Sequence, residues 1–213
     1  MEILKGVHAI EPDARAYSQS ALLVEDRLLL IDGTADPSAR VIFDCLRDIK
    51  RDPKDISTIF VTHTHPDHVS GLATLREKSE AKIVAHEIEA DFISRKKTYP
   101  GPPGPQRHTA VPIDVLLKDG QRYEELVVIH LPGHTPGNIS LLDPSRSLLL
   151  AGDSIRNEGG ILPMEDAYNI DPRQHRASIK RLATFDFEAM IPSHGTAITT
   201  GASRRIRALA ATL

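Results

Sequence analysis

The feature that most constrains this chain is the stretch THTHPDHVSGL at residues 62–72, which directly follows the apolar run STIFV. A short apolar run of this kind is typical of a buried strand. The strand-to-helix turn that follows it carries four side chains of metal-binding type: His63, His65, Asp67 and His68. Residues two apart in an extended segment point the same way, so His63 and His65 can reach one ion. Past the tight turn at Pro66, Asp67 and His68 can face another.

A simpler interpretation is an ordinary helix start, with Asp67 as a favourable charge and the histidines incidental. Three histidines and one aspartate at this spacing favour a metal site instead. Neutral imidazoles and a carboxylate suit zinc best, and also iron or manganese.

Three later segments each end an apolar strand with a residue of ligand type. These are His134 in LVVIHLPGH, Asp153 in LLLAGD and His194 in AMIPSH. A glycine lies next to each of them, at positions 133, 152 and 195, and glycine lets the backbone approach a compact centre. The ends of strands at one sheet edge converge, so five histidines and two aspartates could hold two ions that share one carboxylate.

Strand and helix patterns alternate along the whole chain. The predicted helices cover 37–50, 67–78, 87–95, 172–184 and 201–211. The predicted strands cover 3–10, 20–25, 27–31, 57–63, 82–86, 113–117, 126–131, 138–142, 147–151 and 188–192. The two halves each mix strands with helices, which predicts the α/β class with two sheets packed face to face and helices outside. The length of 213 residues fits a single domain, 1–213.

Charge and composition exclude several classes of partner. The net charge of −3 offers no general attraction to nucleic acid or to an anionic membrane. The longest apolar runs are too short to span a bilayer, and the N-terminus lacks the pattern of a secretion signal. The one cysteine, Cys45, falls on a predicted helix and is interpreted as a buried thiol. We expect a cytoplasmic protein with a small-molecule substrate, and a homodimer is compatible with these features.

The HxHxDH motif at 63–68, followed in order by His134, Asp153 and His194, resembles the metallo-β-lactamase superfamily. The resemblance implies an αβ/βα four-layer sandwich. It also implies that His63, His65 and His134 hold one metal, that Asp67, His68 and His194 hold the other, and that Asp153 bridges them. The segment LLLIDG at 28–33 is similar to an early motif of the superfamily, which makes Asp32 a support for the ligands.

The chemistry implied is metal-dependent hydrolysis, because two cations held close together lower the pKa of a shared water and make hydroxide available. Asp67 could also orient that nucleophile or pass a proton. An aspartate at position 153 resembles glyoxalase II and the lactone hydrolases more than β-lactamases. We therefore expect an ester, thioester or lactone substrate. Phosphoester hydrolysis and an iron-dependent persulfide dioxygenase-like reaction are alternatives, and a non-catalytic metal-binding protein is disfavoured because all seven ligands are present.

Candidate substrate contacts are less specific. Arg156 and Tyr168 follow Asp153 on one segment, and Asn138 lies in GHTPGN, a stretch that resembles one in β-lactamases. The Pro/Gly-rich segment 98–112 is predicted to be irregular and to contact substrate, with His108 expected to be a solvated loop residue.

Overall fold

The computed structural model describes residues 1–12, 18–102, 104 and 107–213. These residues form two compact units, one built from 1–85, 89–99 and 106–116 and the other from 86–88, 100–105 and 117–213. Each unit contains a β-sheet with helices, and the sheets mix parallel and antiparallel pairs. The predicted α/β class is therefore confirmed.

The first unit is organised by a seven-stranded sheet whose strands lie in chain order. Its strands are β1 (Glu2–Leu4), β2 (Val7–Ile10), β3 (Ser20–Val24), β4 (Leu28–Ile31), β5 (Ile56–Val61), β6 (Lys82–His86) and β7 (Val115–Leu117). The helices are α1 (Arg40–Asp48), α2 (Pro66–Val69), α3 (Leu72–Ser79) and α4 (Glu87–Ile93). The strands from β1 to β4 pair antiparallel, and β4, β5 and β6 pair parallel.

The core of the first unit explains its parallel centre. All four residues of β4 are buried, as is nearly all of β5, and such continuous apolar strands are typical of a sheet covered on both faces. Ile42 and Leu46 of α1 and Leu72 and Leu75 of α3 pack into the same cluster. This packing fixes the end of β5, from which the histidine-rich segment emerges.

Two predicted elements of this unit are each divided in the structure. The strand predicted over 3–10 is the antiparallel pair β1 and β2, joined by a turn in which Gly6 has a φ of 71°. The helix predicted over 67–78 is α2 followed by α3, with Gly71 between them. Gly71 N–H donates to the carbonyl oxygen of Thr34 at 3.2 Å and so leaves the helical hydrogen-bond pattern, and a Cβ on Gly71 would lie 2.1 Å from the carbonyl oxygen of Gly33.

The second unit is built on a five-stranded sheet in the order β14-β11-β10-β9-β8. Its strands are β8 (Arg122–Tyr123), β9 (Leu126–His130), β10 (Ile139–Asp143), β11 (Leu148–Gly152) and β14 (Ala189–Pro192). A separate hairpin consists of β12 (Arg156–Asn157) and β13 (Ile161–Leu162), and the helices are α5 (Pro172–Leu182) and α6 (Ala202–Ala210). The strand β8 and the hairpin were not predicted, because two-residue strands carry too short a pattern.

Helix α5 begins at residues that are typical of a helix N-terminus. The side chain of Asp171 accepts a hydrogen bond from the backbone N–H of Gln174, and Pro172 occupies the first helical turn. Ile179 and Leu182 of α5 and Ile206 of α6 are buried in the second core. None of the helices in the described part of the chain is long and apolar enough to cross a membrane.

Candidate metal centre

The first unit presents its ligand types on the segment that leaves β5. His63 and His65 are buried, and their rings meet edge to face with centroids 4.7 Å apart. Each offers a ring nitrogen within 4.8 Å of one from the other. The two histidines therefore lie close enough to bind one ion, as the alternating spacing predicts.

Asp67 and His68 lie on the short helix α2, whose first residue is Pro66. His68 Nε2 is 3.5 Å from Asp67 Oδ2. The backbone around them is fixed from two directions, since Ser18 Oγ donates to the carbonyl oxygen of Asp67 and Gly33 N–H donates to that of His68. These two side chains form a second pair of adjacent donors in the same unit.

Asp32 holds the histidine-rich segment after β5 in place by accepting hydrogen bonds from it. Its carboxylate is almost fully buried and accepts hydrogen bonds from Thr62 N–H at 2.8 Å, Thr62 Oγ1 at 2.8 Å and His68 Nδ1 at 2.9 Å. Thr62 Oγ1 in turn lies 3.1 Å from His63 Nδ1. The supporting role implied for Asp32 by the resemblance matches these contacts, and a partner on one ring nitrogen fixes the orientation of the other.

Tyr99 is a neighbour of His65 that the sequence patterns did not single out. Its Oη lies 3.3 Å from His65 Nε2, and its ring packs edge to face on Phe92 of α4. Burial and the nearby Glu89 carboxylate raise the pKa of Tyr99 well above its ordinary value, so the phenol remains protonated. Tyr99 lies near the start of the Pro/Gly-rich segment 98–112, where no periodic pattern could have marked it.

The second unit brings its three ligand types together at strand ends. His134 follows β9, Asp153 follows β11 and His194 follows β14. Asp153 Oδ2 lies 3.2 Å from His134 Nε2 and 3.3 Å from His194 Nε2. His134 and Asp153 are buried, whereas His194 is half-buried. The prediction that separate strands converge on one carboxylate holds within this unit.

Asn169 supports His134 and was missed by the sequence analysis. Asn169 Oδ1 lies 2.9 Å from His134 Nδ1, and Asn169 Nδ2 donates to the carbonyl oxygen of Met164 at 3.2 Å. His175 Nε2 accepts from Met164 N–H at 3.3 Å. Burial, with the nearby His134 in second place, lowers the pKa of His175 to about 4, so this ring is neutral at neutral pH. No motif connects these residues in sequence.

Two of the predicted glycines are required by close backbone approach. A Cβ on Gly133 would lie 2.1 Å from His175 N, and one on Gly195 would lie 2.1 Å from the carbonyl oxygen of Asn157. Their φ values, 123° and 94°, also lie in the region that favours glycine. The backbone beside two ligands is thus packed too closely for any side chain.

These donors fit a divalent metal. Each unit supplies imidazole nitrogens beside an aspartate, and several of the rings are oriented by a hydrogen bond at their second nitrogen. Nitrogen and carboxylate donors held in this way suit zinc, iron or manganese.

Comparison with known proteins decides the family. The model of the metallo-β-lactamase superfamily matches residues 14–194, a range that includes all seven predicted ligands. The chain belongs to this superfamily. Among solved structures, a metallo-β-lactamase from Cronobacter sakazakii, mutated in its HARLDQ motif, has a TM-score of 0.77 at 24% identity. The alignment covers 100% of this chain and 94% of that one, which shows the metallo-β-lactamase fold.

Two curated relatives of the superfamily are informative. A probable metallo-hydrolase of Bacillus subtilis, YflN, is 26% identical over 93% of this chain and 87% of its own length. A hydroxyacylglutathione hydrolase of Pseudomonas aeruginosa is 32% identical over 60% of this chain. The chain spans 43% of the length of this second relative, so the similarity covers part of that protein.

The three predicted substrate contacts differ from one another in burial and in hydrogen bonding. Asn138 is fully buried and donates to the carbonyl oxygen of Leu131 and to Ser154 Oγ, both at 3.0 Å. Arg156 is half-buried, and its guanidinium donates to the carbonyl oxygen of Pro163 and to Glu158. Tyr168 is 47% exposed. The role of all three in substrate binding stays a prediction.

The predicted substrate loop 98–112 is described except at residues 103, 105 and 106, which lie outside the described residues. His108 is buried, and its Nε2 lies 2.9 Å from the carbonyl oxygen of Ile93, at the end of α4. The expectation that His108 is solvated is therefore wrong. Burial lowers its pKa, and its hydrogen bond anchors the loop to the helix.

Proposed function

We propose that this chain is a metal-dependent hydrolase that uses two divalent cations against an ester, thioester or lactone. The observation that carries the proposal is the convergence of His134, Asp153 and His194 within the second unit, together with the histidine pair of the first. Family membership supports it, as do relatives named metallo-hydrolase and hydroxyacylglutathione hydrolase.

The ligands are proposed to divide as the resemblance implies. His63, His65 and His134 would hold one cation, Asp67, His68 and His194 the other, and Asp153 would bridge them. Bound divalent cations would supply activated water and polarise the acceptor oxygen of the substrate. Zinc is the preferred cation for this set of nitrogen and oxygen donors, with iron or manganese as alternatives.

The protein itself contributes orientation. Asp32 accepts from His68 Nδ1 and, through Thr62, reaches His63 Nδ1, so these rings present Nε2 to a cation. Asp67 lies beside His68 and is placed to orient a nucleophile or accept its proton. In the second unit, His134 presents Nε2 toward Asp153. No serine or cysteine nucleophile is needed in this scheme.

The test combines metal analysis with a substrate panel of lactones, thioesters, simple esters, phosphodiesters and a β-lactam. We expect two equivalents of a divalent metal and turnover of at least one carbonyl ester class. Absence of turnover of the whole panel by the fully metallated protein would refute the hydrolase. Preferential phosphodiester turnover, or a single iron with oxygen uptake, would replace it with one of the two alternatives, since the same donors can hold iron.

Two ligand variants test the site itself. His65→Ala and Asp153→Ala should each lose at least one metal equivalent and nearly all activity, because each removes a proposed ligand. His8→Ala is the matched control: His8 lies on β2, pairs in register with Leu22 and belongs to no proposed ligand set, so its metal content should not change. Full activity in either ligand variant would show that the assignment is wrong.

We also propose the substrate class, the compartment and the assembly of this protein. The small net negative charge favours a small-molecule substrate over a nucleic acid, and the composition favours a cytoplasmic enzyme. Assembly as a homodimer stays a prediction, which size-exclusion chromatography with light scattering would check.

A further inference from the structure

Asn138 closes the loop 131–138, on which the candidate ligand His134 lies. Leu131 N–H donates to the carbonyl oxygen of Asn138 at 2.8 Å, and the side-chain amide of Asn138 donates back to the carbonyl oxygen of Leu131 at 3.0 Å. A carbonyl oxygen can only accept, so the amide atom that faces it must be the nitrogen, Nδ2. The two ends of the loop are therefore joined by a pair of hydrogen bonds, one of which depends on the Asn138 side chain.

The same amide also reaches the turn that carries Asp153. Asn138 Nδ2 donates to Ser154 Oγ at 3.0 Å. Ser154 N–H donates to the carbonyl oxygen of Ala151 at 3.2 Å and so closes the turn in which Asp153 lies. A side-chain amide has two N–H groups, and those of Asn138 are divided between the loop and the turn.

A second serine continues these contacts to the end of β11. Ser140 Oγ donates to the carbonyl oxygen of Ala151 at 2.8 Å and lies 3.0 Å from Ser154 Oγ. A hydroxyl has one proton, so Ser140 gives its proton to the carbonyl and accepts from Ser154. Ser154 consequently accepts from Asn138 and donates to Ser140, which requires a hydroxyl group at position 154.

These side chains lie in the interior of the second unit. Asn138 and Ser140 are fully buried, and Ser154 is 2% exposed. A buried polar group that loses its partner is costly, so each contact favours the arrangement in which all of them are made. To bind an oxygen of a substrate, Asn138 would have to offer an N–H group, and both are already donated within the protein.

We propose that Asn138 and Ser154 are positioning residues, which hold the ligands His134 and Asp153 beside one another. The inference rests on the proposed function in taking these two residues as ligands. They follow β9 and β11, which are not neighbours in the sheet because β10 lies between them. Backbone pairing therefore does not join the ends of these two strands. The contact between Asn138 and Ser154 does, and His134 Nε2 lies 3.2 Å from Asp153 Oδ2.

The experiment compares Ser154→Ala with Ser79→Ala, each of which removes one buried hydroxyl that both accepts and donates. Ser79 Oγ donates to the carbonyl oxygen of Leu75 and accepts from Ala81 N–H, and it belongs to no proposed ligand set. Urea unfolding of the metal-free proteins should show comparable losses of stability in the two variants. Chelator competition should show that only Ser154→Ala binds Zn²⁺ about 10-fold more weakly. The visible absorption of the Co²⁺-loaded protein should likewise shift only in Ser154→Ala.

Asn138→Ala separates positioning from contact with a substrate. Positioning predicts that this variant also binds Zn²⁺ about 10-fold more weakly when no substrate is present. The double variant with Ser154→Ala should lose less affinity than the product of the two single losses, because both changes break the same contact. A loss of turnover at unchanged Zn²⁺ affinity would indicate substrate contact and would overturn the proposal.

A measurement on the wild-type protein requires no variant to fold. The side-chain amide protons of Asn138 should exchange slowly with solvent in nuclear magnetic resonance spectra, and rapid exchange would overturn the proposal. So would equal Zn²⁺ affinity in Ser154→Ala and Ser79→Ala, provided that Asp153→Ala loses metal, and the proposed function would then stand. Unchanged metal content in both His134→Ala and Asp153→Ala would contradict the proposed function, and the positioning role with it.

Discussion

The two units hold their metal-binding side chains in different ways. In the first, all four candidate ligands come from one short stretch, and a buried carboxylate, Asp32, supports the rings through Thr62 and His68. In the second, three ligands come from three strand ends that are far apart in sequence. A neutral amide, Asn169, supports one of them, and a neutral imidazole, His175, holds the segment that carries the amide.

The difference indicates which kinds of substitution should disturb the candidate ligands of each unit. In the first unit one acidic residue, Asp32, accepts three hydrogen bonds beneath a contiguous motif, and Ser18, Gly33 and Tyr99 add single contacts. The second distributes support over backbone contacts, glycines and neutral side chains, because separate loops must each be held. Single substitutions should therefore have sharper effects in the first unit, and acid should have the greater effect on the second.

The largest effect should follow Asp32→Ala. Its loss leaves Thr62 N–H, Thr62 Oγ1 and His68 Nδ1 without their acceptor in a buried place, which should lower the free energy of unfolding by roughly 3–5 kcal/mol. Zn²⁺ affinity should fall as well. Asp32→Asn is the matched control, because Asn tolerates the left-handed φ of 62° and retains one acceptor. Urea unfolding would check both variants, and equal losses would contradict an acceptor role.

The second-largest effect should follow a glycine substitution in the second unit. Gly133→Ala would place a Cβ 2.1 Å from His175 N at a φ of 123°, and we expect a loss of roughly 3 kcal/mol in unfolding free energy. Gly120→Ala has a similar left-handed backbone, with a φ of 71° and no atom within 4 Å of the added Cβ, so it should cost about 1 kcal/mol. Equal costs would show that close packing beside His134 is unimportant.

The same contrast explains what the sequence could predict. The metal-binding pattern around His63 can be recognised from sequence because ligand spacing, a buried strand and a turn coincide within a few residues. His134, Asp153 and His194 could be singled out in the sequence because each follows an apolar strand closely. The division of the predicted 67–78 helix was not predictable, since at this point Gly71 N–H donates to the carbonyl oxygen of Thr34, which is distant in sequence.

The residues that hydrogen-bond to the ligands also differ in whether the sequence could predict them. Asp32 could be found because LLLIDG at 28–33 resembles an early motif of the superfamily. Asn169 directly follows the three-residue 3-10 helix Asp166–Tyr168, and Tyr99 lies on an irregular segment; no periodic pattern marks either residue. Their roles depend on how loops fold back over long distances in the chain, and that is set by tertiary packing.

Acid should weaken the second unit through His175. Burial lowers the pKa of His175 to about 4 from an ordinary 6.5, so the unfolded chain gains a proton between these pH values that the folded protein does not. Stability should therefore fall as the pH drops from 6.5 toward 4, by roughly 2–3 kcal/mol for this residue. His175→Gln keeps an acceptor for Met164 N–H but does not titrate. Urea unfolding of the metal-free proteins across this range should show a shallower decline for the variant, and parallel curves would contradict the assignment.

The smallest effect should come from Tyr99→Phe in the first unit. The change removes the hydroxyl 3.3 Å from His65 Nε2 but keeps the ring that packs on Phe92, so unfolding free energy should fall by only about 1 kcal/mol. Zn²⁺ affinity should still drop about 10-fold, because the partner that orients His65 is gone. Tyr168→Phe, at an exposed tyrosine, should leave that affinity unchanged. An unchanged affinity in Tyr99→Phe would mean that the fold of the segment orients His65 without help, and Asp32 would then be the principal support in the first unit.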